Sequence, residues 1–131
     1  MNLEIVINNL QPMRTTVALG GKLDAMSYLD FDKRIDPVIA QIPRGGTLVL
    51  DLASLDYISS AGLRSVFRAR KAMKAHGGQS LVVNTQPQVR KVFDIVKAVP
   101  VNEIFSTVAE LDAYLDQMQK KVLKGEEDDD A

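Results

Sequence analysis

An α/β fold built on a single mixed sheet is predicted by three features of this sequence. Short β-branched runs alternate with helical periodicities, the first two runs are separated only by a turn, and each later run is followed by a segment of helix length. Strands joined by a turn pair antiparallel, whereas strands joined through a helix are free to run parallel, so the sheet is expected to mix directions near its start. With 131 residues, 46% hydrophobic and 25% charged, the chain has the size and composition of one soluble domain with a real core. Only 5% of it is aromatic and Trp is absent, so Leu, Ile, Val and Met must fill that core.

The first strands are "LEIVI" (Leu3–Ile7) and "TTVALGG" (Thr15–Gly21), joined by the turn-forming "NNLQPM". A helical stretch follows in "GKLDAMSYLDFDKRIDPVIAQI", with Leu29, Ile35, Val38, Ile39 and Ile42 as its expected core positions. Pro37 interrupts it: either the helix kinks there, or Asp36 caps a second piece with Pro37 in its first turn. "PRGG" (Pro43–Gly46) is a turn, and "TLVLDL" reads as a buried strand.

From Ser60 to His76 a helical pattern returns with Leu63, Val66, Phe67 and Met73 on one side, stopped by Gly77 and Gly78. "SLVVN" (Ser80–Asn84) is a further strand. "PQVRKVFDIVKA" is a helix opened by Pro87, with Val89, Val92, Phe93 and Val96 repeating. "EIFST" is expected to add a short last strand. The final helix begins at a capping box, Thr107 with Glu110, and presents Leu111, Tyr114, Leu115 and Met118. Lys120, Lys121 and Lys124 complement its C-terminal dipole before Gly125. The domain is thus expected over residues 1–124, with 125–131 ("GEEDDDA") as an acidic, disordered tail.

Several function classes are excluded or weakened by composition. Sixteen basic against seventeen acidic side chains leave a net charge of −1, which gives no basis for direct nucleic-acid binding. There is no cysteine for a disulfide, a thiolate metal site or a thiol nucleophile. The N-terminal stretch alternates instead of carrying an apolar block, and no apolar run reaches membrane-spanning length, so a cytoplasmic, soluble protein is expected. His76 is the lone histidine and sits at a helix end, where a structural role suits it better than catalysis. "ALGGKLD" lacks the first glycine and the Ser/Thr of a phosphate loop. The carboxylates Asp24, Asp30, Asp32 and Asp36 read as solvated helix face, not as a metal cage. No cofactor and no catalytic group are expected.

What remains is the stretch "DYISSAGLRSV", where two serines stand at the mouth of a helix. One serine there is explained as an N-cap. A second exceeds that need, and a helix N-terminus is a natural anion site where a phosphate gains N–H partners and adds nearly two negative charges. The helix itself is basic: Arg64, Arg68, Arg70, Lys71 and Lys74 come with no acidic residue between Ser60 and Lys74. Arg64, Arg68 and Lys71 share a face that an acidic partner surface would use.

At these residues the chain resembles a STAS domain of the anti-sigma factor antagonist type, over about residues 2–118. The resemblance is carried by "GKLD" (Gly21–Asp24), "LVLDLASLDYISSAGL" (Leu48–Leu63), the glycine pair 77–78, "LVVNTQPQVRKVFDIV" (Leu81–Val96) and "IFSTVAEL" (Ile104–Leu111). It implies a STAS-like α/β fold, a mixed sheet of four to five strands with helices packed mainly on one face. It also implies a non-catalytic switch. In such proteins a serine opening the second helix is phosphorylated by an anti-sigma factor that is also a serine kinase. The free antagonist binds that kinase, the phosphorylated one releases it, and a serine phosphatase resets the cycle.

Laid on "SSAGL", the family motif puts the phosphoacceptor at Ser60, with Ser59 as second choice. The small residue becomes Ala61 and the glycine Gly62, while Ser59 stands where the family has an acidic residue. The partner-binding patch implied is Asp24, Ser59, Ser60, Ala61, Gly62, Arg64 and Arg68, with Asp24 as either a partner contact or a cap, and Gly62 letting a partner backbone approach. The rival expectation is a permanent STAS scaffold or accessory subunit of a signalling complex or transporter.

Overall fold

A computed structural model describes residues 3–125; the acidic run of the expected tail, 126–131, lies outside the described residues. The chain forms β1 (Leu3–Gln11), β2 (Arg14–Leu23), α1 (Tyr28–Gln41), β3 (Thr47–Ile58), α2 (Ser60–Ala75), β4 (Gln79–Val83), α3 (Pro87–Ala98), α4 (Val101–Ile104) and α5 (Val108–Leu123). The four strands lie side by side in the order β1-β2-β3-β4. β1 and β2 are antiparallel across the turn at Pro12–Met13, and the next two pairs are parallel because α1 and α2 carry the chain back between them.

Val17, Leu19, Leu48, Leu50 and Leu52 point to the helical side of the sheet and are buried. Against them pack Phe31, Ile35 and Ile39 of α1, Leu63, Val66, Ala69 and Met73 of α2, Val89 and Val92 of α3, and Leu115 of α5. Val6 and Leu81 sit on the other face and stay exposed.

Several local expectations are corrected. Leu29 is 56% exposed, and Phe31, two residues on, takes the core position because it is in phase with Ile35 and Ile39. Phe67 is 42% exposed and stands edge-on to Phe93, with ring centroids 6.4 Å apart, at the margin of the core. α1 continues through Pro37 as one helix, because its buried residues Phe31, Ile35 and Ile39 hold both sides of the proline to the core. Asp36 caps nothing there, since its carboxylate is taken by Arg68. No fifth strand forms among the described residues: Pro100 starts the single turn α4, and Phe105 then packs on Tyr114, with centroids 5.2 Å apart.

β3 runs six residues past the legible "TLVLDL", to Ile58. Its register with β2 shifts between Ala18/Gly20 and again between Gly21/Lys22. Each shift places one extra residue in β3, so the inward positions fall at Leu50, Leu52, Leu55 and Ile58, spaced by two and then by three. The extension delivers the end of β3 beside Leu23 and directly into α2. At the far end of α2, Gly77 takes a φ of 83°, a left-handed turn that ends the helix and that a side chain would strain. Nε2 of His76 donates to the carbonyl of Ile42 there, a structural bond at the opposite end of α2 from the two serines.

Candidate functional site

The two serines have different jobs. Ser59 is the N-cap of α2, extended at φ −101° and ψ 179°, and its Oγ accepts from the Gly62 N–H at 3.3 Å. Its own N–H donates to the Leu23 carbonyl at 3.0 Å, tying the helix mouth to the end of β2. Ser60 is the first helical residue. Its side chain is buried, and Oγ has no hydrogen-bond partner among the described residues. The capping role therefore belongs to Ser59 alone, and the Ser60 hydroxyl has no local structural bond to explain it.

Three elements meet here. Lys22 and Leu23 of β2 pair with Tyr57 and Ile58 of β3, which brings Asp24 to the same end of the sheet. Asp24 braces the β2–α1 turn: its Oδ1 accepts from Met26 N–H at 2.9 Å, while the N-cap of α1 is Ser27. α5 closes the third side. Gln119, fully buried, accepts from Ile58 N–H at 3.0 Å and donates to Ile58 C=O at 2.9 Å, pairing with the strand backbone as a neighbouring strand would. Asp112 Oδ1 accepts from the Ser60 N–H at 2.8 Å.

Neither α5 contact is named by the sequence reading. Gln119 leaves a trace, being a polar residue in phase with Leu111 and Leu115. Asp112 leaves none.

The rest of the expected patch divides. Ala61 is half-buried and Arg64 exposed on the turn that follows Ser60. Gly62 is buried, and the approach it allows is internal: a Cβ there would run into the carbonyl oxygen of Leu23 and come within 2.9 Å of Ile58 Cγ1. Arg68 makes a bidentate bond to Asp36 at 2.9 and 2.8 Å and lies 3.5 Å from Asp32. That bond holds the Asp36 carboxyl below its usual range and raises the Arg68 guanidinium further. The basic face seen in the sequence is thus partly neutralised by α1. Arg64, Arg70, Lys71 and Lys74 make no ion pair among the described residues.

Tyr57 reports the negative character of the corner. Partial burial, and then the carboxylates of Asp116, Asp112 and Asp24, push its phenol from 10.0 up to about 12. The folded chain therefore keeps the proton that the unfolded chain releases near pH 10, and stability is lost as pH rises from about 10 to about 12. Thermal melts between pH 9 and 11.5 check this: wild type is expected to lose stability more steeply than Tyr57→Phe, and parallel curves would refute it.

The STAS domain family model matches residues 4–111, and the chain belongs to the STAS domain family. A Bordetella bronchiseptica protein named "Putative anti-sigma factor antagonist BtrV" is 46% identical over 57 residues, covering 43% of this chain and 49% of that protein. The match thus spans about half the length of that relative.

Among solved structures, the anti-sigma factor antagonist SpoIIAA in its unphosphorylated form superposes with a TM-score of 0.57 at 22% identity, over 70% of this chain and 82% of that one. The phosphorylated form of this Bacillus protein gives 0.56 at 20% identity, over 71% and 83%. An anti-sigma factor antagonist from Mycobacterium paratuberculosis gives 0.59 at 17% identity, over 79% and 83%. These likenesses establish the shared fold. No helix among the described residues is long and apolar enough to cross a membrane.

Proposed function

We propose that this chain is an anti-sigma factor antagonist, a non-catalytic switch controlled by phosphate on Ser60. With a free hydroxyl it binds an anti-sigma factor that is also a serine kinase. Phosphorylation of Ser60 releases that partner, and a serine phosphatase restores binding. The identity shared with BtrV over 57 residues supports the class of partner.

The observation that carries the choice of Ser60 is the division of labour at α2. Ser59 Oγ holds the helix by its bond to Gly62 N–H, whereas Ser60 Oγ is bonded to nothing among the described residues. A hydroxyl with no structural bond is free for covalent chemistry, and it sits where the helix dipole favours an anion. A phosphate there changes the charge at the centre of the docking patch, now Asp24, Ala61, Arg64 and Arg68, which weakens a partner matched to the neutral hydroxyl.

Phosphosite mapping tests the assignment. The purified chain is incubated with lysate of its native host, ATP and magnesium, then analysed by tandem mass spectrometry. Phosphate is expected on Ser60. Phosphate on Ser59 alone would move the site by one residue. Absence from both, with a control substrate modified in the same lysate, would overturn the switch in favour of a permanent STAS subunit.

A further inference from the structure

The amide that opens α2 is held by a carboxylate from the last helix. Ser60 N–H donates to Asp112 Oδ1 at 2.8 Å across 52 residues of sequence. A helix N-terminus has unpaired amides and a partial positive charge, so it binds an anion. The first turn of α2 contains no acidic residue of its own. In the unmodified chain Asp112 is that anion, and it reaches in from α5.

A phosphate on Ser60 competes for the same place. Ser60 Oγ is buried, so three added oxygens and nearly two negative charges do not fit without movement. The new dianion and the Asp112 carboxylate then face one helix end, in a partly buried setting where like charges repel strongly. Arg64 stands one turn further along α2, at the i+4 spacing by which helical neighbours meet, and makes no ion pair among the described residues. The phosphate therefore has a cation within its own helix. Asp112 has Asp116 and Asp24 gathered with it around Tyr57, and Lys120 is bonded to Asp116 at 2.9 Å. Of the two anions, Asp112 is the one that leaves.

We propose that Asp112 is a positioning residue that couples Ser60 to α5: its carboxylate seats α5 on the mouth of α2 while the hydroxyl is free, and phosphate displaces it and loosens α5. This rests on Ser60 being the acceptor. It makes α5, and not only the mouth of α2, a surface that differs between the two states.

The test needs neither kinase nor partner. Phosphoserine is installed at position 60 during translation, and amide hydrogen exchange is followed in the full chain. The α5 amides are expected to exchange on the order of tenfold faster than in the serine form, while those of α1 stay unchanged. Asp112→Asn keeps an oxygen that accepts the Ser60 N–H but removes the charge, so the acceleration should shrink to under about threefold. Asp112→Ala removes the bond, and α5 should exchange fast in both forms.

Equal acceleration in Asp112→Asn and wild type, or none in wild type, overturns the coupling. If α5 loosens as described but a captured anti-sigma partner binds both forms alike, the switch reading fails while this coupling stands.

Discussion

Ser60→Glu is expected to bind the anti-sigma partner on the order of 100-fold more weakly than wild type, while Ser60→Ala binds within about threefold of it. The contrast comes from charge and burial. Ser60 is 8% exposed and its hydroxyl has no partner among the described residues, so alanine removes no bond that holds them. Glutamate places an anion beside the Asp112 carboxylate at the centre of the patch, where like charges in a partly buried setting repel strongly; 100-fold corresponds to about 2.8 kcal/mol.

Stability separates this effect from misfolding. Ser60→Ala should be neutral or slightly stabilising, because an unsatisfied buried hydroxyl is lost. Ser59→Ala should cost about 1 kcal/mol, because it removes the cap on Gly62 N–H. Titration calorimetry and urea unfolding on the same variants read both arms. Equal affinity of folded Ser60→Ala and Ser60→Glu would sink the switch.

Gly62→Ala is expected to destabilise the fold by about 2 kcal/mol, against the usual sign for a helix. By propensity alone, alanine in place of a helical glycine gains up to about 1 kcal/mol. Here the added carbon meets the Leu23 carbonyl and Ile58 Cγ1. Leu23 is backbone pinned by its pairing with Ile58 and by the bond from Ser59 N–H, so it has little room to give. Overpacking of this kind costs about 1–3 kcal/mol, and with backbone as the obstacle the upper end applies and outweighs propensity. The same shift would part β2 from α2 at Ser59, so partner binding should fall with stability. A higher urea midpoint for Gly62→Ala would refute the packing argument.

Much of this architecture was legible because its signals are local. β1 and β2 flank a turn written in Asn and Pro, and α5 begins where Thr107 and Glu110 form the capping box, both of whose bonds are present. The resemblance carried by "LVLDLASLDYISSAGL" pointed to the STAS domain family, to which the chain belongs. What failed was also physical. The second half of β3 hides from a two-residue period because two register shifts reset its inward face. Phe67 matches the period of α2 but falls at the rim of the area that the sheet covers.

The candidate site was legible by half. By itself the sequence determined that two serines open a basic helix after a buried strand, because order and residue type are written in the chain. Only the tertiary structure decided that Ser59 caps, that Ser60 is left with a buried hydroxyl unpartnered among the described residues, and that Arg68 turns to Asp36 while Asp112 holds the helix mouth. The last two depend on partners 32 and 52 residues away, and no local rule of periodicity or propensity reaches across such distances until the helices have packed.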